Sequence, residues 1–259
     1  MSASLFEKTK ILIKAIRVIK NWHLYVGLYL NLIKSEHIIL ESRSGMKIKL
    51  RVNSTDIMAF THVWLLHEYD RTEFEINDTD IVIDIGAHIG LFALFASQFC
   101  KNGKIYCFEP VKENFELLES NLVLNNIRNV ISFNAAISIN NDNITIYLNK
   151  DESGHSMYVV GSKKIQVKSF TLQDVFDSNK LQKCDFIKID CEGEEYAIID
   201  SLSTTYFNKI NKMCIEYHFF DTKPELLQNM IDKLKTSYSI KTRKILPSIG
   251  FLYAKKNNL

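Results

Sequence analysis

The chain has 259 residues, 46% of them hydrophobic and 24% charged, with a formal net charge of +2. That length suits one large α/β domain with a modest extension, and the apolar share is enough to bury a sizeable core. The near-neutral balance argues against a general nucleic-acid binder, which carries a strong basic excess. The five cysteines are an odd number without CxxC spacing and sit mostly in apolar runs, so reduced thiols and a cytoplasmic location are expected.

The first thirty-five residues carry Lys8, Lys10, Lys14, Arg17, Lys20 and Lys34 against Glu7 alone. Leu5, Leu12, Ile16, Ile19 and Trp22 recur at helical intervals, which predicts an amphipathic helix. Such a helix packs on the domain with its lysines in water, or rests on an anionic membrane as a peripheral contact. The apolar run 22–33 is too short to cross a bilayer, and no small-residue cleavage site follows it. Residues 37–52 read as a β-hairpin turning at Ser44-Gly45, and 54–70 as a helix carrying Ile57, Phe60, Val63, Trp64 and Leu65. Residues 1–70 therefore form an α+β extension to a main domain at 71–259.

From residue 80 short branched runs alternate with helical segments: 80–85 and 90–100, 104–108 and 111–125, 130–137, 185–190 and 193–203, 213–217 and 224–236. This alternation predicts parallel strands joined by helical crossovers. The runs 238–246 and 250–256 suit an antiparallel pair at the end of the sheet. Residues 144–170 read as strands that interrupt the alternation, and are expected to form a β insertion over the carboxyl edge.

Ligands of such sheets bind beyond the carboxyl ends of the strands, so residues terminating strands carry the chemistry. The run "DIVIDIGAHIG" (80–90) ends on Asp84, then Gly86 and Gly90. A dinucleotide loop spaces its glycines G-x-G-x-x-G and takes a pyrophosphate, which an acid would repel. Here the spacing is G-x-x-x-G behind an acid, which suits the ammonium of an amino-acid moiety and points to S-adenosylmethionine. An NAD-linked or nucleotide-sugar oxidoreductase would need a third glycine or a Tyr-x-x-x-Lys pair. A non-catalytic membrane-surface module is the alternative from another class.

Glu109 closes a second apolar strand about twenty residues on, where a carboxylate accepts hydrogen bonds from both ribose hydroxyls. In "NAAIS" (134–138), Asn134 and Ala135 would border an adenine ring. "FIKIDCEGEEY" (186–196) brings Asp190 and Glu192 to the end of the fourth core strand, as bases toward a hydroxyl or as ligands of a divalent cation. Glu194 and Glu195 are read as first-turn helix charges. Glu216 and His218 end the fifth strand on one side of it. His218 joins Asp190 and Glu192 as a catalytic candidate, and Glu216 is assigned to the substrate.

Together "DIVIDIGAHIGLFALFAS", "IYCFEP", "NAAIS", "FIKIDCEGEEYAIIDSL" and "IEYH" resemble the FkbM family of S-adenosylmethionine-dependent methyltransferases, over roughly residues 65–220. The resemblance implies a class I Rossmann-like fold, a seven-stranded mostly parallel sheet in the order 3-2-1-4-5-7-6. It implies methyl transfer, most often to an oxygen of a sugar or natural product, with a small-molecule or glycan acceptor and no nucleic acid. It also places Glu68 and Tyr69 near a cofactor pocket formed with Gly86, Ala87, His88 and Gly90, His88 standing where family members often have Asn. His155 and Ser156, in the insertion, are expected to face the acceptor.

Overall fold

The computed structural model describes residues 5–148 and 163–257. In chain order the elements are α1 (Leu5–Val18), α2 (Trp22–Tyr29), the hairpin β1 (His37–Glu41) and β2 (Lys47–Arg51), and α3 (Asp56–Phe60). The core follows with β3 (Ile81–Ile85), α4 (Leu91–Ser97), β4 (Lys104–Phe108), α5 (Lys112–Leu124), β5 (Val130–Phe133) and β6 (Ala136–Ile137). Next come β7 (Asn143–Leu148), β8 (Lys163–Phe170), α6 (Leu172–Ser178), β9 (Phe186–Ile189), α7 (Glu195–Ser201) and α8 (Thr204–Phe207). β10 (Lys212–Tyr217), α9 (Pro224–Leu234), β11 (Tyr238–Lys244) and β12 (Gly250–Lys256) complete the chain.

Seven strands form one sheet in the order β11-β12-β10-β9-β3-β4-β5. β12 alone runs against its neighbours β10 and β11, and the other pairings are parallel. Counted along the core, the order is 3-2-1-4-5-7-6, as the resemblance implied. Strand direction of travel reverses between β3 and β9, so the ligand crevice lies above their carboxyl ends.

Alternation along the strands splits the apolar residues between the two faces. Val82, Phe186, Cys214 and Phe251 pack with α4, α5 and the N-terminal elements, in one continuous cluster reaching back to Ala15. Ile83, Ile85, Ile187 and Ile189 pack with Val175 of α6, Ile198 and Ile199 of α7, and Met230 of α9. The N-terminal section is thus part of the layer covering one face of the sheet. It is also tied by polar contacts, because Asn121 on α5 bonds both the N–H and the C=O of Lys49, and Asn125 does the same for Lys47. Four residues apart on one helix face, the two amides satisfy the outer edge of β2.

Several local expectations need correction. Ala15 in the first helix and Ile19 just past its end are buried, while Leu12 and Trp22 are 37% and 38% exposed. The small Ala15 lets the helix approach the layer beneath, and Lys14 reaches across to donate to the Leu65 carbonyl at 2.8 Å. The helix expected over 54–70 runs only from 56 and changes at Thr61 into a π-helical turn through Leu65. Residues 130–137 do not make one strand. The chain leaves the sheet after Phe133, and Ala136–Ile137 pairs instead with Ser169–Phe170 in a small sheet ordered β6-β8-β7. Among the described residues no helix is long and apolar enough to cross a membrane.

Candidate active site

A cleft of about 290 Å³ opens above the carboxyl ends of β3, β4, β9 and β10. One end is apolar, lined by Phe108, Pro110, Val111, Ala136 and Ile137, and the other carries Asp190, Glu192, Glu216 and His218.

The loop after β3 is bent by backbone geometry. Gly86 sits at φ +74°, and a Cβ there would lie 1.7 Å from the Asp190 carbonyl oxygen. The N–H groups of Gly86 and Ala87 both donate to the Phe108 carbonyl at 3.0 Å, and that of His88 to Glu109 Oε2 at 2.8 Å. Gly90 donates to the Ala87 carbonyl and caps α4 at φ +82°. These amides therefore already have acceptors within the protein, and a pyrophosphate would meet the Glu109 carboxylate here.

Glu109 is buried at the end of β4. Its Oε2 accepts from His88 N–H and its Oε1 from Val111 N–H at 2.9 Å. Burial pushes its carboxyl up to about 7, against the pull of those two amides. Asn114 Nδ2 is a third donor, 3.5 Å from Oε1. A carboxylate offers about four acceptor positions, so capacity remains for a ribose hydroxyl.

Asp84 does not line the cleft. It is fully buried, and its Oδ1 lies 3.1 Å from the Lys188 ammonium, itself 5% exposed. The ammonium also donates to the Gly86 carbonyl at 2.5 Å and lies 3.7 Å from Asp190 Oδ2. Burial would lower the Lys188 pKa, but Asp84 and Asp190 outweigh it and hold it above its ordinary value. Direct reception of a ligand ammonium by Asp84 is corrected on this ground: its cation is Lys188.

At the acidic end the Tyr69 hydroxyl lies 3.0 Å from Asp190 Oδ2 and 2.7 Å from Glu216 Oε2, its one proton shared between the two carboxylates. His218 donates through Nδ1 to Glu195 Oε1 at 3.1 Å, and the His218 backbone N–H reaches the same oxygen at 2.9 Å. His218 Nε2 then faces Glu192 Oε2 at 3.6 Å and Glu216 Oε1 at 4.0 Å. Burial would lower the imidazole pKa, but Glu195, Glu192 and Asp190 raise it to about 10. Burial raises Glu192 to about 7. Burial, with Asp190 repulsion added, raises Glu216 to about 8.

Of the residues chosen from sequence, Tyr69, Gly86, Ala87, His88, Glu109, Asp190, Glu192, Glu216 and His218 line this cleft. Asn134 and Ala135 are not among its lining residues. Asn134 donates instead to the carbonyls of Glu109 and Pro110, and Ala136 and Ile137 take the wall position. Gly90 acts behind the lining, packed on Leu118 of α5. Glu68 is turned away, paired with Arg71 and Arg243. His155 and Ser156 lie outside the described residues. Glu194 and Glu195 do stand at the start of α7, as expected of first-turn charges, but both are buried, Glu194 accepting from the Ser138 hydroxyl at 2.7 Å.

Sequence reading missed four participants. Lys188 and Glu195 hold the acids and His218, while Asp56 and Arg51 reach in from the extension. Asp56, fully buried, accepts from Arg51 at 2.7 Å, and Arg51 Nη2 lies 3.1 Å from His88 Nε2. Burial lowers the His88 pKa to about 4, so its imidazole is neutral beside that guanidinium. The available signal for Lys188 was a lysine inside the branched run "FIKID", where a solvated face is impossible.

A seven-stranded sheet with one reversed strand and acids ending its second, fourth and fifth core strands defines a class I Rossmann-like methyltransferase. A family model for the methyltransferase FkbM domain matches residues 84–246, and the chain belongs to that family of S-adenosylmethionine-dependent methyltransferases. It is 22% identical over 190 residues to the methyltransferase sdnD of Sordaria araneosa, covering 61% of this chain and 73% of that one. It is 21% identical over 166 residues to the hexuronic acid methyltransferase AglP of Haloferax volcanii, covering 64% and 67%. Among solved structures, the methyltransferase FkbM of Methylobacillus flagellatus aligns with a TM-score of 0.49 at 16% identity, over 96% of this chain and 59% of that one.

Proposed function

We propose that the chain transfers a methyl group from S-adenosylmethionine to a hydroxyl of a sugar, glycoconjugate or other small molecule. The observation that carries this reading is the division of the cleft. Glu109 keeps acceptor capacity for a ribose beside an apolar slot of Phe108, Pro110, Val111, Ala136 and Ile137, whose side chains suit an adenine face. The far end collects Asp190, Glu192 and Glu216, a negative field suited to a sulfonium cation and to a hydroxyl that must lose its proton. The acceptor oxygen attacks the methyl carbon, the C–O bond forms, and the C–S pair returns to sulfur to give S-adenosylhomocysteine. The proton leaves to one of the carboxylates that Asp190, Glu192 and, at the acceptor, Glu216 set around the charged His218. Tyr69, Gly86, Ala87 and His88 shape the methionyl side of the pocket. The relative named for hexuronic acid supports a carbohydrate acceptor.

Isothermal titration with S-adenosylhomocysteine tests the cofactor half: a folded protein that does not bind it at millimolar concentration ends the proposal. Transfer of labelled methyl into a cell extract, with the product identified, tests the acceptor.

The amino-terminal surface supports a peripheral membrane contact. Phe6, Leu12, Ile13, Trp22 and Leu32 are exposed there among Lys8, Lys10, Lys14, Arg17 and Lys20. Co-sedimentation with anionic vesicles should fall when those five cations are replaced by Gln, and equal sedimentation of both proteins refutes the contact.

A further inference from the structure

Among the described residues, the acidic end of the cleft gathers four carboxylates about two basic groups. Asp190, Glu192, Glu216 and Glu195 converge there, against Lys188 and His218. Lys188 is itself engaged by the buried Asp84. Carboxylates brought this close repel one another, and each cation that joins them offsets the cost of burying them.

His218 is built as a ligand would be. It is 3% exposed, and Glu195, itself fully buried, accepts from Nδ1–H and so directs Nε2 at the acids, where a metal ion would take the place of the Nε2 proton. Nε2 has Glu192 Oε2 at 3.6 Å and Glu216 Oε1 at 4.0 Å, both beyond hydrogen-bond length. A carboxylate behind a histidine is the usual outer support of a metal-bound imidazole, fixing its tautomer and ring. Asp190 is steadied in the same way, by the Tyr69 hydroxyl at 3.0 Å. One oxygen of Asp190, one of Glu192 and a nitrogen of His218 lie within 4.8 Å of one another. Ligands about 2.0 to 2.5 Å from one ion stand roughly 3 to 5 Å apart, so the three need only small side-chain rotations to close on it.

From this geometry we propose that Asp190, Glu192 and His218 hold one divalent cation, Mn²⁺ or Mg²⁺, which binds the acceptor hydroxyl. Two carboxylates and an imidazole suit such an ion and leave coordination positions open toward the cleft. Coordination lowers the pKa of the bound hydroxyl. Its proton leaves to the Glu216 carboxylate as the oxygen attacks the methyl carbon, and the C–S electron pair goes to sulfur. The cation is regenerated unchanged, and no electron is gained or lost. The open positions also favour an acceptor that chelates through two neighbouring oxygens, as a vicinal diol or hydroxy acid does. The catalytic part of this proposal rests on the methyl-transfer reading, while the binding of the cation does not.

The test is a titration of the full chain, stripped with EDTA, with Mn²⁺, following loss of the free-ion electron paramagnetic resonance signal. One submillimolar site per chain is expected, displaced by Mg²⁺. Glu192→Gln, at a half-buried position that leaves the Glu195–His218 pair intact, should weaken it about tenfold or more. Glu73→Gln, a surface acid paired with Lys241, should leave it unchanged. No submillimolar site, or one that survives Glu192→Gln, overturns the proposal. Titration of the same EDTA-treated protein with S-adenosylhomocysteine separates the two readings. Nucleoside binding without a Mn²⁺ site removes the cation alone, and a Mn²⁺ site without nucleoside binding removes the methyl-transfer reading.

Discussion

Lys188→Met is the substitution that most directly tests the ionic scaffold under the cleft. Its methylene stem is replaced by a side chain of similar volume, so the change isolates the ammonium. That ammonium sits 3.1 Å from Asp84 Oδ1 and 3.7 Å from Asp190 Oδ2, and donates to the Gly86 carbonyl. Were it an exposed pair, its loss would cost about 0 to 1 kcal/mol. Asp84 is fully buried and Lys188 nearly so, and breaking a buried pair from one side costs about 3 to 5 kcal/mol because a charge is left uncompensated. Much of a total stability of about 5 to 15 kcal/mol would be lost. Urea denaturation measures this as a lower midpoint at unchanged slope. Adding Asp84→Asn to Lys188→Met should recover about 2 kcal/mol or more, since it removes the orphaned carboxylate. A loss below about 1 kcal/mol in the single variant, or no recovery in the double variant, would refute the buried-pair reasoning.

Two further outcomes follow from the cofactor loop. Gly86→Ala forces a Cβ to 1.7 Å from the Asp190 carbonyl at φ +74°, so it should lower stability by at least about 2 kcal/mol and abolish S-adenosylhomocysteine binding; a variant of wild-type melting temperature and affinity contradicts the close approach. Glu109 titrates near 7 in the free protein, and a ribose is best accepted by the ionised form, so affinity should rise with pH through about 7 and level off above it. Below that value protonation competes with the ligand, in the limit about tenfold per pH unit. Glu109→Gln should bind about tenfold or more weakly and lose this pH dependence; calorimetry from pH 6 to 8 on both proteins checks it, and a slope that persists in the variant assigns the titration elsewhere.

The sheet was legible because its strands are short branched runs and its helices recur between them. β4 occupies its predicted span, β3 and β10 differ from theirs by one residue at one end, and β9 by one residue at each end. Acids at strand ends were legible for the same reason: a period-2 reading says where a strand stops, and the last polar residue marks it. The π turn at Thr61–Leu65 was not legible, because it keeps the apolar spacing of an ordinary helix while shifting which side chains meet the cleft. Nor was the departure at Asn134. Nothing in "FNAAIS" states that the Asn amide will hold the Glu109 and Pro110 carbonyls, and this contact moves Ala136 into the lining.

The charged residues behind the cleft were misread for a deeper reason. Whether a charge is buried depends on its partner, and the partner lies on another strand. Asp84 and Lys188 are more than a hundred residues apart, in "DIVIDIG" and "FIKIDCEG", and each motif alone offers an acid to the ligand. The parallel register of β3 and β9 sets Asp84 directly opposite Lys188. The two motifs are therefore one ionic unit, in which the lysine neutralises the first acid and fixes the Gly86 carbonyl. Asp190, two residues beyond Lys188, remains at the cleft wall because the strand has ended and the chain has turned. A comparable relation links Glu195 to His218, an acid at the start of α7 behind the residue that closes β10. In both cases the residue nearer the ligand is held by a buried counter-charge from the neighbouring βα unit. The acids that look alike in sequence thus divide by register into those that position and those that face the cleft.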